Sequence, residues 1–466
     1  MKKLPAISLA IVFTGIMAFV SIHLLYDSYL AAGYDLGIFI QVFKNTLNGQ
    51  IMYSQLTGYS QLAFHFSPIL FVLVPVYWVF HYPQTLLIIN ALCMGFGGYL
   101  IYYLCQRFKL SQRWSLFVEF LFFINPLVWG IVLVDFHEIC FAIPLVLLML
   151  IAYLDKRWIM YTVFLILSLI IKEDITATIV VFGISMLAFD YLRYKKINKI
   201  AIITIITGIF GYLLGVFVSL DFSKGESPRI LTYVTIRYSY VKQPLATMIS
   251  NSLHTFFDSN SLWLIFAYLL PIGFLIFGGI EYALAGLFIL AMNMASTDVY
   301  QHTRLMQSVA GAIPYLFVAV IITLSKLKLN KITTSIMLCS SLVVASFIMT
   351  LSPISNINWT ISDAHDEAVN EVLAMIPNGV SVTTTNNIIV HLAYRTNAYL
   401  GQWDSDVPSV GGEEWGYPYI QTQYIVADDS LDWGETTWNH SVEISCPGYI
   451  LIYQLDGCKL YKLKVN

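Results

Sequence analysis

Residues 158–190 read WIMYTVFLILSLIIKEDITATIVVFGISMLAFD, two apolar runs separated by Lys172-Glu173-Asp174. Charges buried in the middle of a bilayer are costly, so the sequence breaks here into two spans with the charges between them. The same pattern runs outward in both directions. Spans are expected at 4–25, 84–105, 114–134, 139–154, 158–171, 175–190, 200–220, 262–279, 280–294, 306–324 and 332–351. That is about eleven, several of them shorter than the roughly 20 residues a bilayer needs. The 466-residue chain is 58% hydrophobic and 11% charged, with mean hydropathy +0.71. A soluble domain carries about 25% charged residues. The fold class is therefore mainly α-helical integral membrane, residues 1–351, in the cell membrane and surrounded by membrane lipid. The first run follows Met1-Lys2-Lys3 without a convincing cleavage site, so it reads as a retained helix.

The net charge of −3 says less than its distribution. No basic patch is interleaved with aromatics, which excludes a nucleic-acid partner. Basic residues cluster at Lys2-Lys3, Arg107 to Arg113, Lys156-Arg157, Arg193 to Lys199 and Lys326 to Lys331. The positive-inside rule places these loops and the N-terminus in the cytoplasm. Alternation then puts the ionisable clusters between the other span ends outside, together with the C-terminus. The run Ile69 to Phe80 is too short to span and contains Pro75, so it reads as an interfacial or re-entrant helix.

Residues 352–466 form a polar tail, expected to be a small extracytoplasmic α/β domain. Asp363 to Met375 and Asn386 to Ala393 read as helices; Gly379 to Thr384 and Tyr424 to Ala427 read as strands. Tyr449 to Leu455 and Lys459 to Leu463 read as a hairpin. Cys446 and Cys458 flank its first strand. Outside the cell they would form a disulfide; inside, two free thiols. Gly95-Phe96-Gly97-Gly98 lies within a span and reads as a helix-packing patch.

The outer clusters carry the candidate chemistry. Asp35 is either the N-cap of a helix starting at Leu36 or a carboxylate placed to take a proton from a bound hydroxyl. Asp135, His137 and Glu138 pack three potential ligands into four residues; they either cap the next helix or hold Mn²⁺, Mg²⁺ or Zn²⁺. Lys172, Glu173 and Asp174 are either a self-satisfied salt-bridge knot or an anion-binding lysine with orienting acids. His302 and Arg304 are interfacial anchors or phosphate ligands. His65, among aromatics, is a packed histidine or a substrate contact.

Taken together, Tyr34-Asp35-Leu36-Gly37-Ile38-Phe39 with Gln41, His65-Phe66-Ser67-Pro68, Asp135-Phe136-His137-Glu138, Lys172-Glu173-Asp174 and the tail block Asn387 to Arg395 resemble a prokaryotic membrane-protein family of uncharacterised role, domain of unknown function 2079. That family is similar in layout to the GT-C glycosyltransferases, which use polyprenyl-phosphate-linked sugars on the outer membrane face. The resemblance implies that Asp35 is the acidic residue of the first outer loop, with the role of general base. It also implies that Asp135 and Glu138 stand at the second acidic motif, with His137-Glu138 in place of the usual acid-x-acid spacing. The expected function is inverting transfer of a sugar from a polyprenyl-phosphate donor, with His65, Lys172, Glu173, Asp174, His302 and Arg304 around the substrate phosphate. The alternatives are a transporter or flippase for a lipid-linked substrate and a non-catalytic scaffold or receptor.

Overall fold

The computed structural model describes residues 3–29, 33–133, 135–225, 228–298, 301, 307–327, 342–343, 364–395, 397–404, 407–410, 421–428 and 448–464. Most of them are helical. Five helices are long and apolar enough to cross a membrane: Leu4–Tyr26, Pro83–Arg107, Glu173–Tyr194, Lys199–Phe222 and Phe277–Ala295. Gln112–Phe123 and Pro126–Val132 make a sixth if the 50° bend between them lies within one span. The expected spans at 139–154, 158–171, 262–279 and 306–324 appear as shorter apolar helices, Glu138–Leu154, Trp158–Leu169, Ser259–Ile272 and Ile313–Lys326. The described residues therefore support five or six spans by length and composition, fewer than the eleven read from hydropathy. The expected span at 332–351 falls almost wholly outside the described residues. Ile69 to Phe80 forms the helix Leu70–Val79 around Pro75.

Contacts divide the chain into two compact units. One comprises Met1–Ala18, Leu62–Val72 and Ile88–Asn356; the other comprises Phe19–Gln61, Leu73–Leu87 and Ile357–Asn466.

In the first unit the helix Lys199–Phe222 shows how the sequence builds a lipid-facing element. Ile206, Phe210, Leu213 and Phe217 are exposed along one side. Thr204, Gly208, Gly211, Gly215 and Ser219 are buried along the other. Apolar groups face outward and small residues face inward because, among lipid tails, close backbone approach rather than burial of oil drives helix association. The approach is tight: a Cβ on Gly208 would lie 2.6 Å from Val180 Cγ2, and one on Gly183 2.8 Å from Ile205 Cγ1. The glycine patch of Pro83–Arg107 works in the same way. Added Cβ atoms at Gly97 and Gly98 would meet Ile143 at 2.4 Å and the Phe123 ring at 2.1 Å.

In the second unit a mixed six-stranded sheet runs in the order β5-β4-β3-β6-β8-β7. Its strands are β3 (Val382–Thr384), β4 (Ala398–Asp404), β5 (Val407–Val410), β6 (Tyr424–Asp428), β7 (Tyr449–Leu455) and β8 (Cys458–Leu463). A two-stranded ladder, β1 (Tyr53–Ser54) and β2 (Tyr59–Ser60), precedes it in the chain. β3 pairs in parallel with β4 and β6, Val382 standing opposite Ala398 and Tyr424. The helix Asn386–Leu392 makes the crossover from β3 to β4 and packs against the helix Gly33–Leu47. The β7–β8 hairpin turns on Asp456 (φ 43°) and Gly457 (φ 84°), the left-handed pair of a type I′ two-residue turn.

Candidate functional site

Three segments far apart in sequence meet in the first unit. The helix Glu173–Tyr194 starts directly after Lys172, so Glu173 and Asp174 lie in its first turn, where the positive end of the helix dipole favours carboxylates. Glu173 is held from two sides. His65 Nδ1 stands 2.8 Å from its Oε1, and the Phe66 amide donates to its Oε2 at 3.2 Å. Lys172 Nζ lies 3.2 Å from Glu138 Oε1, and Ser67 Oγ donates to the same oxygen at 3.2 Å. All four ionisable groups, His65, Glu138, Lys172 and Glu173, are buried.

The segment carrying His65 is fixed by its neighbours. Phe66 sits against Gly215, Ser219 Oγ donates to the Ala63 carbonyl, and the Ile69 amide donates to the Ile170 carbonyl at 3.0 Å. Around this core lie two further pairs. His137 Nδ1 is 2.9 Å from Asp135 Oδ1, and Arg237 Nη1 is 3.6 Å from Asp174 Oδ2. Asn90 Nδ2 donates to the Asp135 carbonyl at 2.9 Å and to that of Ile131 at 3.1 Å, bracing the turn that presents these groups.

Burial alone would push the Lys172 ammonium toward neutrality. The carboxylates of Glu138, Glu173 and Asp174 outweigh it and hold its pKa above the usual lysine range, against a small opposing push from Arg237. Lys172 is thus a fixed positive charge at neutral pH. It offers three N–H donors, of which Glu138 uses one direction.

The basic loops gather at the other ends of the same helices. Glu138 precedes Ala142–Leu154 and Asp155 follows it, where Asp155 pairs with Arg107. Arg193, in the last turn of Glu173–Tyr194, binds both carboxylate oxygens of Glu281 at 2.8 and 3.3 Å. Asn198 Nδ2 reaches the Tyr153 hydroxyl at 2.9 Å. At 1.5 Å per residue, the 22 residues of Glu173–Tyr194 separate its two ends by about 33 Å.

The structure thus joins His65, Ser67, Glu138, Lys172 and Glu173, pairs Asp135 with His137, and pairs Asp174 with Arg237. Glu138 turns to Lys172 and Ser67. Asp35 belongs to the second unit, on the third residue of Gly33–Leu47, so it lies inside the first turn and is not that helix's N-cap. The preceding Tyr34 amide donates to Asn386 Oδ1 at 3.0 Å. His302, Arg304 and Cys446 lie outside the described residues, and the Cys446–Cys458 pairing with them; Cys458 itself is buried on β8. Two supporting residues escape a sequence reading. Asn90, an amide inside an apolar span, is a signal that could have been followed. Arg237 is one of several charges in a long polar segment, and nothing local marks it as the partner of Asp174.

A family model described as a predicted membrane protein of domain of unknown function 2079 matches residues 25–443. No curated protein matches the chain.

Proposed function

The chain belongs to the family of predicted membrane proteins with domain of unknown function 2079, and from that premise we propose that it is a membrane glycosyltransferase that moves a sugar from a polyprenyl-phosphate donor to an acceptor. The supporting observation is the buried cluster of Lys172, Glu138, Ser67, His65 and Glu173, gathered from three segments at the ends of apolar helices. Ionisable groups retained among membrane helices mark polar cavities and chemistry.

In this reading the acceptor hydroxyl attacks the anomeric carbon of the donor. The bond from that carbon to the phosphate oxygen breaks, its electron pair leaves on the phosphate, and configuration inverts. Lys172 balances the charge that develops on the leaving phosphate. Asp35 takes the acceptor proton, a role that rests on its sequence motif alone. Asp135 and His137 offer oxygen and nitrogen donors suited to Mn²⁺, Mg²⁺ or Zn²⁺, an ion that would add positive charge beside a phosphate. In this reading the basic loops are cytoplasmic and the cluster faces outward, matching a donor carried across the membrane by its lipid.

A second reading, translocation of a lipid-linked substrate, is favoured by one feature. Glu119 is fully buried and neither carboxyl oxygen has a hydrogen-bond partner among the described residues, in a helix that bends 50° shortly afterwards. Broken helices and buried acids are transporter hallmarks.

The test uses purified full-length protein in lipid nanodiscs with a panel of polyprenyl-phosphate sugars and mixed membrane-extract acceptors. Transfer that drops about a hundredfold or more in Lys172→Met and Asp35→Asn supports the enzyme. No transfer from any donor, with protein-dependent movement of a fluorescent lipid-linked sugar between leaflets, would establish translocation instead.

A further inference from the structure

The tail block Asn387 to Arg395 plays no part in the reaction above, yet it lines a cavity of its own. Wholly within the second unit, Lys44, Asn378, Gly379, His391, Tyr394 and Arg395 border a space of about 370 Å³. That volume suits a small ligand. Its charge balance is unusual. Lys44 Nζ donates to the Tyr394 carbonyl. Arg395 donates through Nη1 to the Pro377 carbonyl at 2.7 Å and through Nη2 to the Ile376 carbonyl at 3.0 Å. These partners are neutral, and among the described residues no carboxylate pairs with either cation.

Both cations border the same cavity and each loses hydration to its surroundings; burial lowers both pKa values from their ordinary range. An anion between them would relieve both costs. Gly379 adds room for one. It sits at φ 82°, and a Cβ there would meet nothing within 4 Å, so its backbone borders open space that a ligand can approach closely. His391 completes the wall. Its Nε2 donates to the Tyr26 carbonyl at 3.1 Å, which leaves Nδ1 as the acceptor of a neutral ring, suited to a ligand hydroxyl.

We propose that this cavity binds a phosphate group, carried either by a soluble phosphorylated solute or by a lipid headgroup, between Lys44 and Arg395. The site is separate from the Lys172 cluster, and no step of sugar transfer enters its definition.

The experiment is equilibrium dialysis of radiolabelled inorganic phosphate against the detergent-solubilised full-length chain. Saturable binding is expected, weakened about tenfold or more in Lys44→Gln and in Arg395→Gln, the effect of removing one charge-assisted contact. Binding should persist in Lys172→Met/Glu138→Gln, which separates this site from the transfer cluster. Where Arg395→Gln fails to fold, because its guanidinium holds two backbone carbonyls, Lys44→Gln alone decides. Absence of saturable phosphate binding, or binding untouched by Lys44→Gln, overturns the proposal. Nanodiscs separate the two sources. Phosphate binding lost in phosphatidylglycerol but kept in phosphatidylcholine supports the lipid headgroup, and equal binding in both supports the soluble solute.

Discussion

Lys172 and Glu138 form a buried ion pair, Nζ to Oε1 at 3.2 Å, with both side chains almost fully shielded from solvent. Such a pair gains little over an apolar substitute, but breaking it strands a charge. Lys172→Met should therefore destabilise the protein by about 3–5 kcal/mol. The double variant Lys172→Met/Glu138→Gln should recover most of that loss, because the neutral amide no longer needs a cation. Denaturant unfolding in a fixed detergent measures both. Strictly additive losses in the double variant would mean that the two groups are not energetically coupled.

Gly215 supports the site through packing. A Cβ there would stand 2.9 Å from Phe66 Cβ and 3.1 Å from its Cγ, and the Phe66 amide holds Glu173. Gly215→Ala should cost about 1–3 kcal/mol, the usual penalty of overpacking. It should also lower any transfer activity by displacing Glu173. Gly15→Ala is the control. Its Cβ would meet nothing within 4 Å, so the exchange should be neutral or stabilise the helix Leu4–Phe19 by up to about 1 kcal/mol. Thermal unfolding of the two variants side by side separates crowding from helix propensity.

Much of the helical framework is legible in the apolar runs, because a span must satisfy its backbone internally and shows itself by length and oil content. The tail elements are equally plain where local chemistry fixes them. The Asp456-Gly457 turn declares the β7–β8 hairpin, and the run Tyr424 to Ala427 declares β6. β4 and β5 were not legible. Ala398 to Asp404 mixes Gly401 and Gln402 into its apolar residues, and its place in the sheet comes from parallel pairing with β3, a long-range contact. The four short helices Glu138–Leu154, Trp158–Leu169, Ser259–Ile272 and Ile313–Lys326 account for most of the difference in span count, since hydropathy fixes where oil lies but not how many residues stay helical. At the site, the sequence identifies Glu138, Lys172 and Glu173 as charges at span ends and His65 as a histidine among aromatics. It does not say that His65 meets Glu173 while Lys172 meets Glu138. Helix packing makes that choice, through contacts such as Phe66 against Gly215.

His365 ties the sheet to the helix Ala364–Ala374. Its Nε2 lies 2.9 Å from Asp428 Oδ2 and its Nδ1 3.1 Å from Asp456 Oδ2. Burial works against the charged ring, but the two aspartates outweigh it and raise its pKa above 6.5. The folded state therefore binds this proton more tightly than the unfolded chain. The stabilisation is complete below pH 6.5 and fades as pH rises through the folded-state value. Hydrogen exchange of the β6 and β8 amides should accelerate beyond its intrinsic pH dependence over that range. His365→Gln should remove the excess. A pH profile unchanged by the substitution would show that the aspartates do not hold a charged imidazole.

His391 should act in the opposite sense. Its ring lies 4.3 Å from Tyr26 and 4.2 Å from Tyr29, and burial pushes its pKa down from 6.5 to about 4. The folded state disfavours the proton, so its contribution is complete above pH 6.5 and is lost as pH falls toward about 4. With the ring partly exposed, the loss should be about 2 kcal/mol, somewhat below the full linkage value of such a shift. His391→Phe keeps the stacking between the tyrosines and cannot titrate, so it should remove this loss between pH 6.5 and 4, a range in which the His365 contribution is already complete. Phosphate supplies a second check on the same group. An anion between Lys44 and Arg395 lies beside His391 and would favour its protonated form, so saturating phosphate should shrink the loss and raise the pH at which it levels off. A titration of the His391 ring by NMR that does not respond to phosphate would place the anion elsewhere.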